Sequence, residues 1–155
     1  MNSSTIRIRP ATANDSDAVA ALLTELGHPT RASDIPSRLA ALAREGGSTL
    51  VAVDERDLPL GLICLALHTT LHTSGQVAYI TTLVTAAAAR RRGIGKLLVE
   101  RAFEWAREHR CARLSVTSAE RRADAHAFYP ACGLPYTGRR FAAALESEAE
   151  PESTV

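Results

Sequence analysis

The chain of 155 residues lacks both a long apolar run and a recognisable pattern of paired cysteines. Its three cysteines, Cys64, Cys111 and Cys132, are far apart in sequence and form no C-x-x-C motif. An odd, scattered set argues against a disulfide framework and is typical of a reducing compartment. No segment reaches the roughly 20 apolar residues of a membrane span, and the N-terminal region lacks a signal-peptide pattern. We therefore expect a cytoplasmic protein without a membrane partner.

The chain is also poor in aromatic residues and has almost no net charge. Aromatic residues make up 5% of the sequence, and the formal net charge is +1. Nucleic-acid binding depends on an excess of positive charge and, for single strands, on aromatic stacking platforms. We therefore expect no nucleic-acid partner. The hydrophobic content of 46% and the charged content of 23% are ordinary for a globular protein, and the length suits one domain.

Apolar residues change their spacing along the first half of the chain. Alternation over 5–9 predicts a short strand, and two segments with helical spacing follow it and stop near Gly27 and Gly46. Three strand-like segments, separated by turns, then lie at 48–53, 60–71 and 76–85. This order predicts two helices after the first strand, followed by an antiparallel meander.

Helices and strands alternate in the second half. An apolar stripe opposite charged residues predicts a long amphipathic helix over 93–109. Further changes of pattern predict a strand at 112–117, a short helix at 122–129 and a last strand at 136–145. We expect a single domain over 1–145, of the α+β class with three layers. The segment 146–155 contains four glutamates and almost nothing to bury, so we predict a disordered acidic tail.

The segment RRRGIGK, residues 90–96, joins three arginines to two glycines just before the long helix. A dinucleotide fingerprint would need a third glycine at the position of Leu98. A P-loop would need four residues between its glycines, and a Ser or Thr where Leu97 stands. Both familiar nucleotide motifs are therefore absent.

The physical features that phosphate-binding loops share are nevertheless present in this segment. The first turn of a helix leaves N–H groups without partners and carries a partial positive charge, so an anion binds there favourably. Glycines let phosphate oxygens approach the main chain, and arginines donate charge-assisted hydrogen bonds. The segment predicts a pyrophosphate site made by Arg90, Arg91, Arg92, Gly93, Ile94, Gly95 and Lys96.

Two motifs in the right order resemble the signatures of the GNAT family of N-acetyltransferases. The pattern Arg90-x-x-Gly93-x-Gly95, after a predicted strand and before a helix, resembles the Q/R-x-x-G-x-G/A loop that binds acetyl-CoA. The segment AHAFYPACGL resembles the second signature, A-x-x-F-Y-x-x-x-G-F, with Leu134 in place of the last phenylalanine. The longer segment TSAERRADAHAFY resembles bacterial small-amine acetylases, among them the aminoalkylphosphonate acetyltransferases. The strong part of the resemblance covers 60–145.

This resemblance implies a fold and a way of binding the co-substrate. The expected sheet is mixed, mostly antiparallel, flanked by about four helices, and splayed between its fourth and fifth strands. The pantetheine arm of acetyl-CoA would lie in that gap and pair with the backbone of Leu83, Val84 and Thr85. We also expect Ser118 and His126 to bind the co-substrate, with His126 on the cofactor-facing or capping side of the short helix.

The resemblance also implies a mechanism in which the amine attacks the thioester directly, without an acyl-enzyme. Tyr129, the tyrosine of the second signature, would donate a hydrogen bond to the leaving thiolate. Relatives often carry an acidic base on the fourth strand, but this chain has Thr81 and Thr82 there. A water chain ordered by Tyr79, or the imidazole of His68 or His72, are alternatives for the base. We predict no metal site, since no H-E-x-x-H motif is present.

We therefore predict an acyltransferase that moves an acetyl group from acetyl-CoA to a primary amine of a small molecule. The alternative is a module that binds acyl-CoA as a sensor without efficient turnover, because the usual acidic base is missing. The acceptor stays open among aminoglycosides, polyamines, aminoalkylphosphonates, amino acids and protein N-termini. Homodimerisation through the last strand is a further prediction.

Overall fold

The computed structural model describes residues 5–117 and 123–145, and these residues form one sheet with helices on both faces. The strands are β1 (Arg7–Pro10), β2 (Ser48–Val53), β3 (Pro59–His68), β4 (Val77–Thr85) and β5 (Arg113–Val116). The α-helices in this part are α1 (Ser16–Leu26), α2 (Ile35–Arg44), α3 (Ile94–Glu108) and α4 (Ala123–Ala131). The strand order is β1-β2-β3-β4-β5, antiparallel except for the parallel pair β4 and β5. The expected mixed α+β sheet is confirmed.

The core is divided into two apolar layers, one on each face of the sheet. On one face, α3 buries the stripe that contains Ile94, Leu98 and Trp105. On the other face, α1 and α2 bury residues such as Val19 and Ile35 against the strands. Both stripes follow the helical spacing of apolar residues, so the amphipathic pattern decides which face each helix covers.

The end of α1 is defined by a glycine in the left-handed region. Gly27 has φ 106°, and its N–H donates to Thr24 O at 3.1 Å. The N–H of His28 then donates to Leu23 O at 2.9 Å, which closes the helix in the manner of a Schellman motif. This cap holds the His28 backbone at the C-terminal end of α1.

A β-bulge in β4 changes which residues face each layer. Ile80 pairs with Leu65, and Thr82 pairs with Cys64, so Thr81 is the extra residue of the bulge. Before the bulge, Ile80 belongs to the core beneath α3; after it, Val84 belongs to the core beneath α1 and α2. The bulge therefore turns the second half of β4 relative to the first.

The pairing between β4 and β5 ends at the same point. It runs from Val77 and Arg113 to Ile80 and Val116, which leaves residues 81–85 of β4 without a β5 partner in the described chain. The predicted splay between the fourth and fifth strands is confirmed.

The prediction of a last strand over 136–145 is wrong. These residues form neither strand nor helix, and all of them are exposed, with Phe141 at 90% and Tyr136 at 73% of full exposure. The preference of apolar and aromatic side chains for a strand comes mainly from packing on a half-buried sheet surface. Since no face of this segment is buried, its apolar residues do not select a strand. A homodimer was predicted to form through this strand. Homodimerisation remains a prediction, but the strand no longer supports it.

Element boundaries elsewhere differ by a few residues from the sequence prediction. The third strand ends at His68 instead of residue 71, where Leu71 is fully exposed. The start of the predicted short helix, residue 122, and the predicted acidic tail, 146–155, lie outside the described residues. None of the helices in the described part is both long enough and apolar enough to cross a membrane.

Candidate functional site

A cavity of about 650 Å³ lies where β4 and β5 diverge. Its wall is formed by the second half of β4, the start of α3, the end of β5, the inner side of α4 and the end of α1. An antiparallel strand directs its N–H and C=O groups alternately to its two edges. Beyond Ile80, the groups of β4 that would otherwise pair with β5 therefore face this cavity.

Thr81 lies in this wall because the bulge carries it out of the ladder. Its hydroxyl donates to Cys64 O at 3.3 Å, and its side chain is exposed. A threonine hydroxyl donates and accepts hydrogen bonds but does not take up a proton at neutral pH. Thr81 can therefore orient a group in the cavity but cannot act as its base.

The loop before α3 turns its backbone through two left-handed residues. Arg91 has φ 64° and Gly93 has φ 75°, while Arg90 is extended. Left-handed residues in such a turn help to direct backbone N–H groups toward one side, which suits an anion. The left-handed conformation is unfavourable for arginine, and such strain is typical of functional loops.

The first turn of α3 adds unsatisfied donors beside this loop. The first hydrogen bond of the helix runs from Leu97 N–H to Gly93 O at 3.1 Å, so the preceding amides have no intrahelical acceptor. No acidic residue lies in this turn. Arg90, Arg91 and Lys96 line the same part of the cavity, so this end of the cleft is strongly positive.

The two glycines of the loop serve different physical purposes. Gly93 has open space around it, with nothing within 4 Å of an added Cβ, so its left-handed φ is what favours glycine. A Cβ on Gly95 would instead lie 3.2 Å from Cζ of Phe128 and 3.8 Å from Oγ1 of Thr85. Gly95 thus permits the close approach of α3, α4 and β4.

Tyr129 lies on α4 and lines the cavity, as the sequence predicts. Its half-buried ring packs edge-on against Phe128, with centroids 5.3 Å apart, and both rings contact the core beneath α3. The phenol is therefore held by packing on the same cavity as the loop before α3. Cys132 follows on this side, but burial raises the pKa of its thiol, which does not favour a nucleophilic role.

Most of the predicted site residues come together in this cavity. Those that line it are Leu83, Thr85, Arg90, Arg91, Gly93, Ile94, Gly95, Lys96 and Tyr129. Val84 was predicted to act through its backbone, which belongs to the part of β4 without a β5 partner, while its side chain is buried beneath α1 and α2. The exposed side chains of Arg92 and His126 do not line the cavity. Ser118 lies outside the described residues.

The structure separates the two predicted histidine bases from the cavity. His68 pairs with Val77 at the start of β4 and packs its ring against Tyr79, with centroids 4.7 Å apart. The cavity lies at the other half of β4, and neither His68, His72 nor Tyr79 lines it.

Two lining residues with titratable side chains were not among the predicted site residues. His28 lies in the wall at the end of α1, and Arg140 lies in it from the last described segment, with Nη1 3.5 Å from Oγ1 of Thr117. The glycine stop at Gly27 is the one sequence signal that marks His28, because it ends α1 beside the divergent strands. Among the described residues of this wall, no aspartate or glutamate is present. The described part of the chain also contains no cluster of three side chains able to hold a metal ion.

Comparison with known proteins identifies the family of this chain, and solved structures share its fold. The model of the acetyltransferase (GNAT) family matches residues 17–134. The uncharacterized N-acetyltransferase YhdJ of Bacillus subtilis (strain 168) is 35% identical over 92 residues, which cover 59% of this chain and 64% of that relative. The chain thus matches less than two thirds of the length of this curated relative.

Solved structures of acetyltransferases share the fold over almost the whole chain. A Trypanosoma brucei acetyltransferase has a TM-score of 0.80 at 20% identity and covers 91% of this chain and 100% of its own. A GNAT family acetyltransferase of Staphylococcus aureus has a TM-score of 0.76 at 20% identity, with coverage of 91% and 99%. At such identities, the likeness shows the fold alone.

Proposed function

The chain belongs to the acetyltransferase (GNAT) family, and on that premise we propose that it transfers an acetyl group from acetyl-CoA directly to a primary amine of a small molecule. One observation carries the proposal: a single cleft combines an open strand edge, a positive helix start and a phenol. The open edge belongs to residues 81–85, the helix start to Arg90–Lys96, and the phenol to Tyr129.

The chemistry of the cleft fits the parts of acetyl-CoA. Its pyrophosphate needs donors and positive charge, which the first turn of α3, Arg90, Arg91 and Lys96 supply. Its pantetheine arm carries amides, which need the backbone donors and acceptors of the open β4 edge. Because Gly95 carries no side chain, the start of α3 lies close to the ring of Phe128 at this junction.

The transfer requires the acceptor ammonium to lose two protons, one before the attack and one from the nitrogen as the amide forms. One of them is released to water, and the other balances the proton that the leaving thiolate takes up. An amine with a pKa near 10.4 is neutral in only about one molecule in 2,500 at pH 7, a handicap of roughly 4 to 5 kcal/mol. Once neutral, its lone pair forms the C–N bond while the C–S bond breaks and sulfur keeps the electron pair. The hydroxyl of Tyr129 donates to that sulfur, as a general acid does.

His28 is the group of the described wall best suited to receive the amine proton. An ammonium or guanidinium group has no lone pair that accepts a proton, and a threonine hydroxyl is not a base. A neutral imidazole has one ring nitrogen with a free lone pair, so it can accept a proton and pass it on. Since His28 is exposed, water can carry that proton away.

The test is release of free thiol from acetyl-CoA across a panel of primary amines. Thiol release that depends on the amine, with an acetylated amine as the second product, is the expected result. The absence of an aspartate or glutamate from the described wall favours an alternative, an acyl-CoA-binding module without turnover. Binding of acetyl-CoA by calorimetry without amine-dependent thiol release would support that alternative. An absence of binding as well would contradict both.

A further inference from the structure

A second cavity of about 260 Å³ lies on the other face of the sheet, between α1, α2 and strands β2, β3 and β4. His28 and Thr82 line both this cavity and the larger cleft. The two spaces therefore adjoin at one shared wall, which contains the proposed proton acceptor and a residue from the second half of β4. An acceptor whose amine lies at this wall would have the second cavity next to it.

The sides of the second cavity are apolar and come from both helices. They are formed mainly by Val19, Leu23, Ile35, Leu39, Leu42 and Leu62. Apolar walls favour an apolar occupant, because a polar group that enters loses its hydrogen bonds to water. The side chains around the second cavity therefore favour a hydrocarbon group as its occupant.

The floor of the cavity is a row of small groups that crosses three strands. Thr49 of β2 pairs with Cys64 of β3, which in turn pairs with Thr82 of β4. Burial raises the pKa of the Cys64 thiol, while its hydrogen bonds with Thr82 and Thr49 partly oppose that rise. The row thus consists of neutral groups that hydrogen-bond largely to one another.

Formal charge is scarce around this cavity. Besides His28, its one charged lining residue among those described is Arg38, whose side chain is 59% exposed and lies 3.9 Å from Asp34. No aspartate or glutamate of the described chain lines either cavity, whereas Arg90, Arg91, Lys96 and Arg140 line the cleft. An acceptor with a second ammonium group would therefore lose hydration without gaining a counter-charge.

We propose that the second cavity holds an apolar group attached to the acceptor amine, so that the acceptor class is monoamines with a hydrophobic substituent. The inference rests on the proposed acetyl transfer and narrows its substrate. At about 30 Å³ for each water-sized group, the cavity accommodates roughly nine such groups. The amine nitrogen then lies at the shared wall, beside His28 and Thr82.

The discriminating experiment compares unbranched alkylamines with α,ω-diaminoalkanes of the same length in the thiol-release assay. Each methylene that enters the cavity should raise kcat/KM for the monoamine by about fourfold, until the cavity is full. Diamines should show no such rise, because their second charge would have to enter the apolar walls. Equal rates for the two series, or higher rates for the diamines, would overturn the inference while leaving acetyl transfer intact.

A matched pair of variants localises the effect. Leu39→Phe enlarges a side chain that lines the second cavity but not the cleft. It should reduce kcat/KM for the longest good monoamine at least tenfold and leave the KM for acetyl-CoA unchanged. Leu58→Phe makes the same change at a 52% exposed turn position outside both cavities and should leave both constants unchanged. An unchanged amine preference in a folded Leu39→Phe protein would contradict the inference.

Calorimetric titration of the monoamine into enzyme saturated with coenzyme A distinguishes a failure of the cavity assignment from a failure of the proposed acetyl transfer. Binding to the wild type that is weakened in Leu39→Phe supports the second cavity as the acceptor site, independently of turnover. No thiol release with any amine, despite such binding, would overturn the proposed acetyl transfer instead. A monoamine that binds both proteins equally would overturn the cavity assignment.

Discussion

Gly95 lies against the ring of Phe128 so closely that an added Cβ would stand 3.2 Å from Cζ of that ring. Phe128 directly precedes Tyr129 on α4 and packs against it. The start of α3, proposed to bind pyrophosphate, therefore contacts the helix that carries the proposed thiolate donor. A substitution at Gly95 should therefore affect both the start of α3 and Tyr129.

Gly95→Ala should lower kcat and raise the KM for acetyl-CoA together, because Phe128 must shift and carry Tyr129 with it. The ring has to move by a few tenths of an ångström, whereas a misplacement of about 1 Å can reduce rates by roughly 10²-fold, so we expect a loss of up to about tenfold. Steady-state kinetics with both substrates measures it. Gly138→Ala is the control, since an added Cβ there meets nothing within 4 Å. If Gly95→Ala retains wild-type kinetics, the contact does not couple the two groups.

Arg90→Ala and Arg91→Ala should each raise the KM for acetyl-CoA with little change in kcat. Both side chains line the cleft, and a hydrogen bond to a charged group contributes about 1.5–3 kcal/mol, so each KM should rise at least tenfold. Arg92→Ala, which removes the same charge outside the lining, should have a smaller effect. Initial-rate kinetics at two salt concentrations measures whether the KM rises more in the Arg90 and Arg91 variants than in the Arg92 variant. Equal effects at all three positions would indicate a diffuse field instead of specific contacts.

Tyr129→Phe should lower kcat by about 10²-fold, the lower end of what a positioned acid contributes, and leave the binding of coenzyme A unchanged. The ring and its packing against Phe128 stay, so only the hydroxyl is lost. Rapid-quench kinetics and calorimetry with coenzyme A separate the two quantities. An unaltered kcat, with chemistry as the slow step, would remove Tyr129 from the donor role.

His28→Gln should lower kcat/KM for the amine and leave the KM for acetyl-CoA unchanged. Glutamine keeps hydrogen-bonding groups at this position but cannot act as a base. His68→Gln is the matched control, because His68 packs against Tyr79 away from the cleft. Steady-state kinetics with both substrates provides the measurement. An unchanged kcat/KM for the amine in His28→Gln would assign the base to another group.

Arg9→Ala should destabilise the fold far more than Arg7→Ala in the same strand. Arg9 donates two hydrogen bonds of 2.8 Å to the buried carboxylate of Asp15, whereas Arg7 pairs with exposed Asp57. Removing one partner of a buried pair costs about 3–5 kcal/mol, and an exposed pair contributes about 1 kcal/mol or less. Urea unfolding at pH 7 compares the variants.

The same pair makes the stability of the fold depend on acid pH. Hydrogen bonds from Arg9 hold the pKa of Asp15 below its ordinary value of about 3.9. The unfolded chain therefore binds the proton first, so this stabilisation is complete above about pH 5 and is lost as pH falls through the lowered pKa. Asp15→Asn should show a shallower loss of stability between pH 5 and pH 2. An equally steep loss in that variant would place the acid sensitivity elsewhere.

Local patterns in the sequence predicted the elements that bury one face. The second strand was predicted at 48–53 and is Ser48–Val53, and the long helix predicted over 93–109 is Ile94–Glu108. Burial of a stripe or of a strand leaves a periodic trace in the sequence. The last segment, 136–145, has no such periodic trace, its residues stay exposed, and the strand predicted there does not form.

The amino-acid order alone determined the positive, donor-rich start of α3, because the arginines, the glycines and the helix start are adjacent in the chain and need no distant partner. Only the tertiary structure decided which distant residues line the same cavity as the start of α3. His28 is 53 residues before Thr81, and only the capped end of α1, the bulge in β4 and the early end of β5 bring these regions to one cavity. Contacts between distant segments depend on how helices pack on the sheet, and spacing within one segment carries no record of that packing.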